Sequence, residues 1–205
     1  MIAIVDYGVG NLFSLCSSFK YIGQDAEITG DPDKIHRSDR VILPGVGAFE
    51  DAAKKLRQSE LADIVCAEAK NGKPLLGICL GMQLLFDKSF EYGEHQGLGL
   101  IKGNVVSMEP VIPKDYKVPH IGWNGLHFPK NKPVSPLFKH INEGDHVYFV
   151  HSYYAADCDD AVIATTEYGA ELTAAVADKN IYGTQFHPEK SGDVGLSILR
   201  AFCEI

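Results

Sequence analysis

Cys79 is the residue in this sequence best placed to act as a nucleophile. It sits at the centre of Gly77-Ile78-Cys79-Leu80-Gly81, between a short apolar run and a helical pattern. A side chain on so sharp a strand-to-helix turn needs small neighbours two residues either side. The turn then presents the sulfur at the carboxyl edge of a sheet, above a helix N-terminus. That helix end favours a thiolate and offers the Leu80 N–H to a developing oxyanion. Alone, the five-residue match also describes a buried structural cysteine between packing glycines. Gln185-Phe186-His187-Pro188-Glu189 supplies the missing partner, because a histidine leaving a strand, with a carboxylate two residues later, is a general base with its orienting group attached. A lone histidine is more often a surface or satisfied core residue, and the two motifs together reverse that expectation.

Two more glycine-rich stretches end strands. Pro44-Gly45-Val46-Gly47 can bring a backbone N–H close to a ligand and provide a second oxyanion donor, although it also reads as a plain turn. Gly8-Val9-Gly10 lacks the glycine that a dinucleotide fingerprint wants at position 13, where Phe13 stands, so a nucleotide site is rejected. No Walker loop or metal-ligand spacing is present, and no metal or cofactor is expected.

The elements that must hold these motifs follow from hydrophobic period. Ile2 to Val5, Ala26 to Thr29, Arg40 to Leu43 and Leu75 to Ile78 are short apolar strands separated by helical patterns, the sequence form of parallel strands joined by crossover helices. Leu12, Leu15, Cys16, Phe19 and Ile22 form one helix face, and Asp31-Pro32 caps a brief second helix. Phe49 to Asn71 reads as helix broken near Ser59, and Gly81 to Phe90 as a helix with Met82, Leu85, Phe86 and Phe90 on one side. Beyond that point the period changes. Val105 to Met108, Val118 to Phe128, His146 to Tyr154, Ala161 to Thr166, Thr173 to Asp178 and Ile181 to Phe186 are expected strands, and a last helix turns Leu196, Leu199 and Phe202 or Cys203 inward. The expected class is α/β, with a largely parallel central sheet, flanking helices and an added antiparallel β region, in one domain over residues 1–205.

Composition narrows the function. With 45% apolar and 22% charged residues the chain is globular rather than disordered, and its net charge of −8 disfavours a broad nucleic-acid surface. Five cysteines at irregular spacing, with no C-x-x-C pair, are expected to be reduced thiols. The longest uncharged stretches, Tyr7 to Phe19 and Pro74 to Phe86, run thirteen residues, short of the roughly 18 a membrane span needs. A cytoplasmic location is expected.

Gly77-Ile78-Cys79-Leu80-Gly81 followed by Gln83, the Pro44-Gly45-Val46-Gly47 loop and His187-Pro188-Glu189 together resemble the class I, triad-type glutamine amidotransferases. Within that family, Asp6-Tyr7-Gly8-Val9-Gly10-Asn11-Leu12, Pro119-His120-Ile121-Gly122-Trp123-Asn124 and Gln185-Phe186-His187-Pro188-Glu189-Lys190-Ser191 are similar to the glutaminase subunits of imidazole glycerol phosphate synthase. The resemblance implies a doubly wound sheet, Cys79 as nucleophile, His187 as proton carrier and Glu189 as its orienter. It implies Leu80 and Val46 N–H groups around the oxyanion, and Gly47, Gln83, Ser152 and Tyr153 around a glutamine substrate. It also implies a heterodimer with a separate (βα)8-barrel cyclase that uses the ammonia in histidine biosynthesis, with Asn11, Trp123 and Lys190 at the partner surface. The rival readings are the glutaminase of another amidotransferase, a non-catalytic subunit of the same fold, or a cysteine hydrolase with another substrate.

Overall fold

The computed structural model describes residues 1–205. In chain order, β1 (Ile2–Val5) leads through α1 (Leu12–Tyr21) to β2 (Ala26–Thr29), then through α2 (Pro32–Arg37) to β3 (Arg40–Gly45). Next come α3 (Phe49–Gln58), α4 (Leu61–Lys70), β4 (Leu75–Cys79) and a single-turn α5 (Leu80–Leu84). The strands β5 (Lys88–Ser89), β6 (His95–Gln96), β7 (Asn104–Ser107), β8 (His120–Gly125), β9 (His146–His151), β10 (Tyr153–Ala156), β11 (Val162–Glu167), β12 (Glu171–Asp178) and β13 (Ile181–Thr184) follow, and α6 (Gly192–Cys203) closes the chain.

Seven strands form the central sheet in the order β11-β12-β13-β4-β3-β1-β2. From β2 to β13 every neighbour is parallel, while β12 and β11 add an antiparallel flank. The expected doubly wound arrangement is therefore present, and alternation along each strand explains it. In β1, Ala3 and Val5 join the core under α2, α3 and α4, whereas Ile2 and Ile4 join the core under α1 and α6. A strand apolar on both sides has no face to give to water, so helices must cover both. Two smaller sheets, β10-β7-β5-β6 and β8-β9, sit beside the main one.

The turn from β4 into α5 is built backbone against backbone. A Cβ on Gly81 would lie 1.8 Å from the Leu43 carbonyl oxygen, one on Gly77 would lie 2.7 Å from the Gly81 oxygen, and one on Gly45 would lie 2.7 Å from the Gly81 nitrogen. Only hydrogen fits at these positions. Between them Cys79 adopts φ 55° and ψ −113°, a conformation that costs a non-glycine residue about 1–3 kcal/mol and persists only where its surroundings enforce it.

Several expected elements are corrected. The helix expected over Gly81 to Phe90 stops at Leu84, and Phe90 is 45% exposed. The carbonyls of Leu84, Leu85 and Phe86 accept instead from the N–H groups of Leu98, Leu100, Ile101 and Gly99, so a distant segment ends the helix. The strand expected over His146 to Tyr154 divides at Ser152, because β9 pairs with β8 and β10 with β7. The strand expected over Val118 to Phe128 keeps only His120–Gly125. Pro119 has no N–H for a ladder, and past Gly125 the Leu126 N–H turns to Asp145. In α6 the buried face is Gly195, Ile198, Leu199 and Phe202, with Leu196 half-buried. A Cβ on Gly195 would come within 1.9 Å of the Pro188 oxygen, so this close approach sets the helix's rotation.

Replacing Gly81 with alanine forces a methyl group into the Leu43 carbonyl and should destabilise the fold by about 3 kcal/mol, the upper end of typical overpacking costs. Urea unfolding of the variant against the parent measures this; an unchanged midpoint would show that the contact is not rigid.

Candidate active site

The three motifs leave three neighbouring parallel strands at their carboxyl ends. Gly45 at the end of β3 is in register with Cys79 at the end of β4, and Ile78 is in register with Thr184, the last residue of β13, three positions before His187. Open parallel sheets place ligands at this edge. A cavity of about 290 Å³ opens there, and its lining includes Val46, Gly47, Cys79, Leu80, Gln83, Ser152, Tyr153, His187 and Lys190.

Cys79 is buried, with Sγ 4.0 Å from the Val150 oxygen and 3.9 Å from Gln185 Nε2. His187 Nδ1 lies 2.8 Å from Glu189 Oε1, with both side chains almost completely buried. The carboxylate accepts, so Nδ1 carries the proton and Nε2 is left for the cavity. The His187 backbone is clamped as well: its N–H donates to the Tyr148 oxygen at 3.0 Å, and its carbonyl accepts from Ser191 Oγ at 2.6 Å. Glu189 Oε2 is buried with no hydrogen-bond partner, which makes the His187 ring the carboxylate's main compensation. Burial pulls His187 toward the neutral form, but the facing Cys79 sulfur and the Glu189 carboxylate outweigh it and lift the imidazole to about 9.

Leu80 is the first residue of α5, so its N–H has no partner within the helix. Val46 is 41% exposed, and Gly47 holds φ +89° with open space where a Cβ would stand, so this loop meets little steric resistance to turning. Gln83 is buried, and its Nε2 donates to the Tyr153 oxygen and to Gln185 Oε1, both at 3.0 Å. Its amide nitrogen is thus committed to the cavity wall.

The sequence reading missed two groups on the lining, Glu91 and His151. Glu91 accepts from the Phe49 N–H at the start of α3. Neither position carries a local signal, since each is brought to the cavity only by tertiary pairing.

The class-I glutamine amidotransferase family model matches residues 3–204. The chain belongs to the class-I glutamine amidotransferases. Among similar curated proteins, imidazole glycerol phosphate synthase subunit HisH of Caldanaerobacter subterraneus subsp. tengcongensis is 50% identical over 206 residues, spanning 100% of this chain and 98% of that protein. The subunit of the same name from Sulfurimonas denitrificans is 52% identical over 205 residues, spanning 98% of this chain and 97% of its own length. Among solved structures, PurLQS from Thermotoga maritima superposes with a TM-score of 0.76 at 21% identity, covering 99% of this chain and 97% of that one. The glutaminase domain of CTPS from Trypanosoma brucei, with bound acivicin, gives 0.67 at 17% identity, over 99% of this chain and 93% of that one. At these identities the structural likeness speaks for the fold.

On this class-I amidotransferase the positions expected at a partner surface divide. Trp123 is 53% exposed and meets the Tyr148 ring at 6.0 Å, and Lys190 Nζ stands 5.9 Å over the same ring, so these form one patch beside the cavity mouth. Asn11 precedes α1, half-buried, and makes no hydrogen bond to the patch. A larger hollow of about 740 Å³, lined by Leu100, Lys102, Cys158, Asp159 and Asp178 among others, contains no histidine. Burial pushes its Cys158 thiol up to about 11, which leaves it without the means to act as a nucleophile near neutrality.

Because His187 binds its proton more tightly folded than unfolded, this contribution to stability is full below about 6.5, its unfolded value. It is lost as pH rises through about 9. Glu189→Gln removes one of the groups that raise His187, so the stability gap between parent and variant should be wide at acid-to-neutral pH and narrow through that upper range. Thermal unfolding across a pH series checks this; a gap independent of pH would contradict it.

Proposed function

We propose that this chain is the glutaminase subunit of imidazole glycerol phosphate synthase, hydrolysing glutamine to glutamate and ammonia for a cyclase subunit in histidine biosynthesis. The observation that carries the reading is the convergence of Cys79, the His187–Glu189 pair, the helix-start Leu80 N–H and the Val46–Gly47 loop on one small cavity. Its volume lies at the lower limit of typical ligand pockets, which start near about 300 Å³, and so suits one amino acid. Full-length similarity to HisH subunits directs the choice of acceptor reaction.

In this reading the Cys79 thiolate attacks the side-chain amide carbon of glutamine and forms a C–S bond. The resulting oxyanion takes hydrogen bonds from the Leu80 and Val46 N–H groups. His187, oriented by Glu189, protonates the amide nitrogen, the C–N bond breaks and ammonia leaves. Water, deprotonated by His187, then cleaves the thioester to glutamate and returns the thiolate. Gly47, Gln83, Ser152 and Tyr153 bound the substrate, and the Glu91 carboxylate on the same lining offers charge to its ammonium group. The Trp123–Tyr148–Lys190 patch is the proposed docking face for a (βα)8-barrel cyclase in a cytoplasmic heterodimer, and Asn11 is proposed as a further contact.

Two outcomes are expected. Cys79→Ala should abolish glutamate production while leaving the melting temperature and partner binding nearly unchanged; residual glutaminase turnover in the purified variant would sink the assignment. Turnover of the chain alone, with the cyclase, and with the cyclase plus acceptor nucleotide should rise in that order. If one N–H at Val46 turns into the oxyanion site, the gain is about 10²- to 10³-fold; equal rates in all three conditions would exclude such a switch.

A further inference from the structure

One residue of the cavity lining, His151, belongs to a buried pair of histidines that the mechanism above does not use. His151, at the end of β9, places Nδ1 2.9 Å from the Tyr153 carbonyl oxygen. A carbonyl only accepts, so Nδ1 carries the hydrogen and Nε2 must accept. The group facing Nε2, at 3.1 Å, is Nδ1 of His120. His120 is fully buried, stacked between Phe149 with ring centroids at 5.0 Å and Tyr168 at 4.0 Å, and its Nε2 is 2.8 Å from Asn124 Oδ1, so a neutral His120 has one hydrogen to share between Asn124 and His151. The same Tyr153 carbonyl accepts from Gln83 Nε2 at 3.0 Å. It lies just past Ser152, where the chain leaves the β8-β9 sheet for the sheet of β10 and β7. The Met108 N–H ties the Ser152 oxygen to the end of β7 at 3.1 Å, and the side chains of His151 and Gln83 tie the next carbonyl, that of Tyr153.

We propose that His151, held by His120, is a positioning residue for the substrate, fixing the Ser152–Tyr153 wall of the cavity through the Tyr153 carbonyl. This rests on the glutaminase reading and deepens it. His151 does not serve as a second proton carrier. Burial holds its imidazole far down, at about 3, and a charged His187 nearby opposes a proton there further. The other titratable ring against the pair is Tyr168, which stacks on His120. His151 is thus a neutral donor of fixed tautomer, and its effect should fall on substrate binding rather than on chemistry.

Side-chain isosteres test the idea. The amide nitrogen of asparagine occupies the place of histidine Nδ1, whereas that of glutamine reaches the place of Nε2. In the complex of the full chain with its cyclase, His151→Leu should raise the KM for glutamine about tenfold, the usual worth of one buried hydrogen bond, with kcat within about threefold of the parent. His151→Asn should bring KM back near the parent value and leave the pH profile of kcat/KM unchanged. If His151→Leu does not fold, His151→Gln replaces it and should show the raised KM that His151→Asn lacks. Equal KM values across the folded variants, a fall confined to kcat, or a lost limb of the pH profile in His151→Asn would each overturn the positioning role. A parent complex that does not hydrolyse glutamine would overturn the glutaminase reading itself, a result visible before any variant is made.

Discussion

The close approach of α5 to β3 is the contact on which the rest of the site depends. At Gly45, Gly77 and Gly81 main chain lies directly against main chain, and this lets the chain reverse from strand to helix within one residue. The reversal forces Cys79 into its unusual backbone conformation and lifts the sulfur out of the sheet into the cavity. Register does the remainder. Because β3, β4 and β13 are adjacent and parallel, their ends deliver the Val46 loop, the cysteine and the histidine to the same edge without any long-range adjustment.

The site joins opposite solutions to the problem of polar groups in a dry place. His187 and Glu189 are nearly inaccessible, and each answers the other's charge, so the ring holds its proton strongly. His120 and His151 are also buried but have uncharged hydrogen-bond partners and aromatic rings around them, and burial drives both toward the uncharged form. The same side-chain type thus serves as a cation in one place and a rigid dipole in the other, according to whether a carboxylate stands within reach.

Much of this was legible in the sequence because it is local. Strand ends, the glycine spacing around Cys79 and the two-residue step from His187 to Glu189 are short-range signals, and they carried the parallel core and the family resemblance. What escaped depends on partners far along the chain. Met82, Leu85, Phe86 and Phe90 have helical spacing, yet carbonyls 84 to 86 are claimed by N–H groups around residue 99. The apolar run through His146 to Tyr154 shows no break in pattern, yet Ser152 divides it between two sheets. Leu196 has the spacing of a core residue, but the contact of Gly195 with Pro188 rotates it toward the surface. His120, His151 and Glu91 each look like isolated polar residues until the strands β8 and β9 pair and the segment after α5 folds back.

The backbone contact at the elbow also bears on how such a protein can change over generations. A site shaped by side chains can be retuned a methyl group at a time, with each step surviving selection. At Gly81 no such gradation exists, since the smallest possible addition already overlaps the Leu43 oxygen. Inheritance at these positions is all or nothing, and adaptive drift in rate or selectivity is channelled instead into side chains such as that of the exposed Val46, where neighbouring space permits small steps.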